Sequence, residues 1–172
     1  MDLHGFSDAS QQAMAAVVYT RIIAENNSVT SQMICLKTKV ALIKRLSIPR
    51  LKLTAVLILA RLIKLIMKAF ELQYKTLNCW SDSTVTIGWI NSPPSKLKGE
   101  YVRNCVSLIY KTLPNCSWRF VSGKDNPADW ATRGINADLL LQDSLWWHEP
   151  HWLVKAPEFW LRPKTHPVDE ML

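Results

Sequence analysis

The chain has 172 residues, 48% of them hydrophobic, which suffices for one domain with a buried core and excludes disorder over most of its length. A formal net charge of +7 points to a polyanionic partner, because clustered Lys and Arg gain by displacing counterions from phosphates. The four cysteines lack CxxC spacing and the density of a disulfide scaffold. They are read as reduced, and with no basic-then-apolar opening the expected location is cytoplasmic or nuclear, not secreted.

Residues 3–7 and 13–23 are rich in small and β-branched side chains and flank the polar "DASQQ", the pattern of a strand hairpin. "ENNSVTS" reads as a turn, and "QMICLKTKV" alternates as a third strand. A helix is expected from Ile48 to Phe70. Its apolar run, Leu53 to Ala60, is broken by Arg61, Lys64 and Lys68 before a membrane could be spanned. Arg50 and Lys52 near its start run against the helix dipole, which favours acidic side chains there. "TLNCWSD" is a fourth strand ending in Asp82, and "STVTIGWIN" a short helix stopped by "SPPS". From Leu97 to Leu113, Val102, Val106, Ile109 and Leu113 recur at helical spacing. "CSWRFVSG" is a fifth strand, and "NPADWATRG" carries the Asn, Pro and terminal Gly of a short last helix. Two Asn-X-Ser sequons, at Asn26 and Asn115, are short enough to arise by chance.

This order predicts an α/β domain over residues 1–135, a mixed five-stranded sheet in which three antiparallel strands are followed by parallel additions, with flanking helices. Residues 136–172 are read as a Trp- and Pro-rich C-terminal extension. It holds Trp146, Trp147, Trp152 and Trp160, which interleave with Leu and Pro as packing tryptophans do, although exposed aromatic faces can also stack on unpaired bases.

Asp8, Asp82 and Asp129 each sit among small neighbours, in "SDAS", "SDST" and "NPAD". Aspartates converging on one edge of a sheet are the hard oxygen ligands that Mg²⁺ requires, whereas any one of them alone is equally a cap or turn residue.

The segments "LHGFSDAS", "SIPRLKL", "WSDSTVTIGWI", "SPPS", "VRNCVSLI", "WRFVSGKDNPADWATRG" and "SLWWHEPHWL" occur in an order that closely resembles the ribonuclease H-like region of BEL/Pao retrotransposon polyproteins, also called the Pao retrotransposon peptidase. The resemblance runs from about Leu3 to Leu153. It implies a ribonuclease H fold and two-metal hydrolysis of the RNA strand of an RNA–DNA hybrid during reverse transcription, with Mg²⁺ or Mn²⁺ as cofactor. By the same resemblance, Asp8, Asp82 and Asp129 are the metal ligands and catalytic carboxylates, and the neighbouring reverse transcriptase of a parent polyprotein is a partner beside the hybrid or another nucleic acid. The remaining carboxylate of the family is a glutamate at the position of Lys52.

An ammonium in place of a carboxylate changes the local charge by two units and removes an oxygen ligand. Two placements are open for Lys52: an ion pair with Asp8 and Asp82, or a charge that reaches solvent while its stem packs on the core edge. Either way the ligand set is one carboxylate short, so the expectation is a copy with impaired catalysis that needs no cofactor, or a non-catalytic nucleic-acid-binding or scaffold remnant. The mobile histidine that many ribonucleases H carry before the last aspartate is also missing from "SGKDNPAD".

Other chemistries have less support. An aspartic peptidase needs two close aspartates on glycine-containing loops, and neither "DAS" nor "DST" is followed by Gly. In "HEPH", Pro150 separates His148 and His151 from a regular helical presentation, and no cysteine pair lies nearby for zinc. Nucleic-acid contacts are expected from Lys37, Lys39, Lys44 and Arg45, between the third strand and first helix, and from Lys96, Lys98 and Arg103 at the later helix. A solvated polar face is the plain alternative.

Overall fold

Alternation of small and β-branched residues sets up the sheet. In the computed structural model, which describes residues 1–41, 46–134, 136–142 and 150–160, strands β1 (Asp2–Ala9), β2 (Ala13–Ile23) and β3 (Val29–Val40) form an antiparallel meander. Strands β4 (Leu77–Ser81) and β5 (Ser117–Phe120) add in parallel beyond β1, giving the order β3-β2-β1-β4-β5. The expected mixed sheet is therefore present. Helices α1 (Ile48–Phe70), α2 (Thr84–Ile90), α3 (Glu100–Thr112), α4 (Ala128–Arg133) and α5 (Ala137–Gln142) complete it. Among the described residues, no helix is long and apolar enough to cross a membrane.

Several boundaries differ from the sequence reading. Strand β3 starts at Val29 rather than Gln32, because Thr30 and Val29 continue the pairing with Ile22 and Ile23 and the turn closes over Ala24 to Ser28, with Asn27 at φ 62°. Helix α3 starts at Glu100 rather than Leu97, since Gly99 at φ 83° breaks the helical path. Strand β1 extends to Ala9 and β4 stops at Ser81, so Asp8 is within its strand and Asp82 just beyond the next.

One face of the sheet is covered by α1, whose Leu53, Val56, Leu59, Ala60 and Ile63 pack with Leu3, Ala16, Val18 and Cys79. Gly5 permits this approach: a Cβ there would stand 2.8 Å from Leu59 Cδ1 and 2.9 Å from Ile63 Cδ1. The opposite face carries Phe6, Ala15, Val17, Tyr19 and Trp80, and it is covered by Ala128 of α4 together with Trp152, Leu153 and Trp160. Residues 150–160 are clasped by Arg21, whose Nε donates to the Leu153 carbonyl (2.9 Å) and Nη2 to that of Lys155 (3.1 Å) while Nη1 pairs with Asp2. Trp152, Leu153 and Trp160 of the expected extension thus pack on the sheet; Trp146 and Trp147 lie outside the described residues.

Candidate active site

Parallel pairing of β1 with β4, in which Ser7 faces Ser81, brings Asp8 and Asp82 to adjacent strand ends. The third aspartate arrives through Asn126, which is fully buried. Its side-chain amide donates to the Ser7 carbonyl (3.1 Å) and its Oδ1 accepts from the Ala128 N–H (3.2 Å), pinning the start of α4 against β1. Thr132, one helical turn on, donates to Asp8 Oδ2 at 2.6 Å. Asp129 lies in the same helix, close enough to Asp8 to feel its charge. The three candidate carboxylates therefore converge.

Lys52 reaches into this cluster from α1. Its Nζ stands 2.6 Å from Asp82 Oδ2 and 3.1 Å from Asp8 Oδ1, with side-chain exposures of 15% for Lys52, 12% for Asp82 and 3% for Asp8. Of the two placements open to it, the ion pair is the one adopted. Arg133 holds the remaining carboxylate, Nε to Asp129 Oδ1 at 2.8 Å, across one turn of α4.

Burial raises the Asp8 carboxyl, but the Thr132 hydroxyl and the Lys52 ammonium outweigh it and leave the group below its ordinary value. Asp82 shifts the other way: burial and the Asp8 charge push it up, and Lys52 offsets only part of this. Two adjacent carboxylates share one cation here, and Asp8, with two donors, keeps its charge more readily. Burial disfavours the ammonium of Lys52, yet its hydrogen bond to Asp82 and the two carboxylate charges raise it above 10.5. Asp129 is raised by burial and by Asp8, against Arg133.

A divalent cation does not fit these residues as they stand. The ammonium occupies the space between Asp8 and Asp82, Thr132 takes the second oxygen of Asp8, and Arg133 takes Asp129. Among the described residues, no group of three or more His, Cys, Asp or Glu side chains is arranged to hold a metal ion. Of "HEPH", His151 is exposed and His148 lies outside the described residues.

The basic residues divide. Lys37 and Lys39 are exposed on β3 in register with Ala16 and Met14, which flank the row Asp8, Ala15, Thr38, so they edge the same end of the sheet as the cluster. Lys96, Lys98 and Arg103 are exposed at the start of α3. That end is tied to the start of α1 by a 2.6 Å hydrogen bond between the Thr54 and Tyr101 hydroxyls and by Arg50 over the Tyr101 ring. Lys44 and Arg45 lie outside the described residues. Sequence reasoning missed Asn126, Thr132 and Arg133. The i,i+4 spacing of Asp129 and Arg133 was a readable signal, whereas nothing local marked the other two.

The profile of the Pao retrotransposon-like RNaseH-like domain matches residues 1–83, a span that contains Asp8, Lys52 and Asp82. No curated protein matches the sequence. Among solved structures, the N-terminal RNase H domain of Rv2228c from Mycobacterium tuberculosis is 12% identical, with a TM-score of 0.50 over 73% of this chain and 85% of that one. RNase H1 from Halobacterium salinarum is 11% identical, with a TM-score of 0.43 over 71% of this chain and 86% of that one. LC11-RNase H1, solved with an RNA/DNA hybrid, is 11% identical, with a TM-score of 0.48 over 73% of this chain and 87% of that one.

Proposed function

From a chain whose residues 1–83 match the Pao retrotransposon-like RNaseH-like domain, and whose sheet has the ribonuclease H fold, we propose a hydrolase-derived domain that no longer cleaves and is retained for binding nucleic acid. The ancestral reaction is two-metal hydrolysis of RNA in an RNA–DNA hybrid. In that reaction metal ions supply the activated water and stabilise the leaving oxygen. The observation that carries the reading is the Lys52 ammonium between Asp8 and Asp82. It pairs with one oxygen of each carboxylate, so the residues that would bind the metals hold each other instead, while Asp82 Oδ1 stays buried with no hydrogen-bond partner among the described residues.

What these side chains can still do is bind and orient. Asp8 and Asp82 fix the ammonium, Thr132 fixes Asp8, and the exposed Lys37 and Lys39 lie at the same end of the sheet for phosphate contacts. Partner chemistry of this kind includes an RNA–DNA hybrid and a reverse transcriptase bound to one. A peptidase reading gains nothing from the geometry: two aspartates sharing a proton cannot work with an ammonium 2.6 Å from one and 3.1 Å from the other.

The test is a hybrid-cleavage assay in Mg²⁺ or Mn²⁺ with purified protein and a Lys52→Glu variant. The expected result is no metal-dependent cleavage by the native sequence. Turnover by the native protein that is abolished by Asp8→Asn would overturn the reading.

A further inference from the structure

Strand β3 is an edge of the sheet, and its residues 36–40 are exposed on both faces, although Met14, Ala15, Ala16 and Val17, which pair with four of them on β2, are buried. The layers that cover β2 therefore stop short of this segment. Beyond β2 its backbone has no hydrogen-bond partner among the described residues, apart from a 3.8 Å contact from Cys35 Sγ to the Leu36 carbonyl. Alternate residues of an antiparallel edge strand turn N–H and C=O outward, and those groups can accept one more strand.

The side chains say what that strand carries. Paired residues share a face of the sheet, so Lys37 and Lys39, opposite Ala16 and Met14, stand on the α1 side. Leu36, Thr38 and Val40, opposite Val17, Ala15 and Ala13, stand on the other side. Leu36 is 36% exposed and Val40 76%. Neither lysine makes an ion pair among the described residues, where the paired cations are Arg21, Lys52 and Arg133. An added strand sets every second side chain against the two ammoniums and the intervening ones against Leu36 and Val40.

We propose that residues 36–40 form a docking edge for an extended peptide of a partner protein, one in which acidic and apolar residues alternate, bound by strand addition to β3. Lysines on an edge deter indiscriminate pairing, so the residues that keep neutral strands away are the ones that select an acidic strand. A second copy of this chain is a poorer occupant, because it brings its own net charge of +7 to the same two ammoniums. A phosphate backbone would meet the lysines but leave the outward N–H and C=O groups and the apolar side chains of Leu36 and Val40 unused. The site is independent of the nucleic-acid reading above, although a strand and a phosphate would compete for Lys37 and Lys39.

The experiment measures binding of a labelled synthetic peptide of alternating Glu and Val to the full chain by fluorescence anisotropy, and follows hydrogen exchange of the β3 amides as the peptide is added. The peptide is expected to bind and to slow exchange at alternate amides of residues 36–40. A peptide of the same composition with its Glu residues in one block is expected to bind about tenfold more weakly. Lys37→Glu/Lys39→Glu should weaken the alternating peptide about tenfold and should bind instead the peptide in which Lys replaces Glu. Both positions are exposed, so this variant should keep the native unfolding midpoint, and the block-peptide comparison uses the native chain alone. No binding of the alternating peptide, equal binding of the block peptide, or binding without protection at residues 36–40 would overturn the proposal. Protection that rises with protein concentration and needs no peptide would overturn it in favour of a second copy. Protection by an RNA–DNA hybrid but not by the peptide would overturn it while leaving the nucleic-acid reading in place.

Discussion

The Lys52 ammonium lies 2.6 Å from Asp82 Oδ2, a hydrogen-bonded ion pair across 30 residues of sequence that ties the start of α1 to the end of β4. Removing one partner of a pair this sheltered leaves a charge with poor solvation, and the cost exceeds that of replacing both. Lys52→Met is expected to destabilise the domain by about 3 kcal/mol in urea unfolding. Adding Asp82→Asn should recover part of that loss, with a coupling of about 1–2 kcal/mol in a double-mutant cycle. Strict additivity would show that the pair does not act as a unit.

The same pair sets an alkaline limit. The folded state raises the Lys52 group above its ordinary 10.5, so its contribution to stability is fully present below 10.5 and is lost as pH rises through the folded value. Unfolding free energy measured upward from pH 10.5, where that window starts, should fall more steeply for the native chain than for Lys52→Met.

An acid limit has a different origin. His4 is fully buried, with Nδ1 accepting from Trp80 Nε1 and the Trp160 ring edge-on at 5.0 Å. Burial, with smaller effects from Arg21 and Arg119 against Asp2, lowers it from 6.5 to about 3. The unfolded chain therefore takes up a proton first, and stability should decline as pH drops from 6.5 toward 3. His4→Gln should flatten that slope; an unchanged slope would place the acid sensitivity elsewhere.

Residues 150–160 are expected to be structural. Trp160 is 6% exposed, sits against Trp80, and has the guanidiniums of Arg21 and Arg119 at 5.5 and 5.7 Å from its ring centroid. Trp160→Ala should cost about 3–5 kcal/mol. Truncation after residue 149 should uncover Phe6, Tyr19 and Trp80 and turn on binding of the dye ANS, whereas a truncated chain as cooperative as the full one would make this stretch a dispensable appendage.

Most of the fold was readable because its signals are local. The β1–β2 hairpin and α1 each carry a periodic pattern that spans the whole element, and the parallel addition of β4 follows from the helix that precedes it. Lys52 was legible only as an anomaly. That a lysine near a helix start has a reason shows in the sequence, whereas its reach to Asp8 and Asp82 depends on strand order and register. Thr132, Asn126 and Arg21 were not legible, since each acts over more than 100 residues of chain and a buried side chain serving a distant partner has no local signature. The spacing of the tryptophans among Leu and Pro marks them as packing residues, whereas nothing local marks the clasp from Arg21 that seats them.

Whether a tethered ammonium has taken the place of a metal ion is read most directly from the unfolding temperature of the native chain across a Mn²⁺ titration. A cation that binds only the folded state raises the midpoint with concentration. No saturable shift is expected for the native sequence, and one should appear when Lys52→Glu returns an oxygen ligand to the cluster. A saturable rise in the native protein that disappears in Asp8→Asn would contradict it.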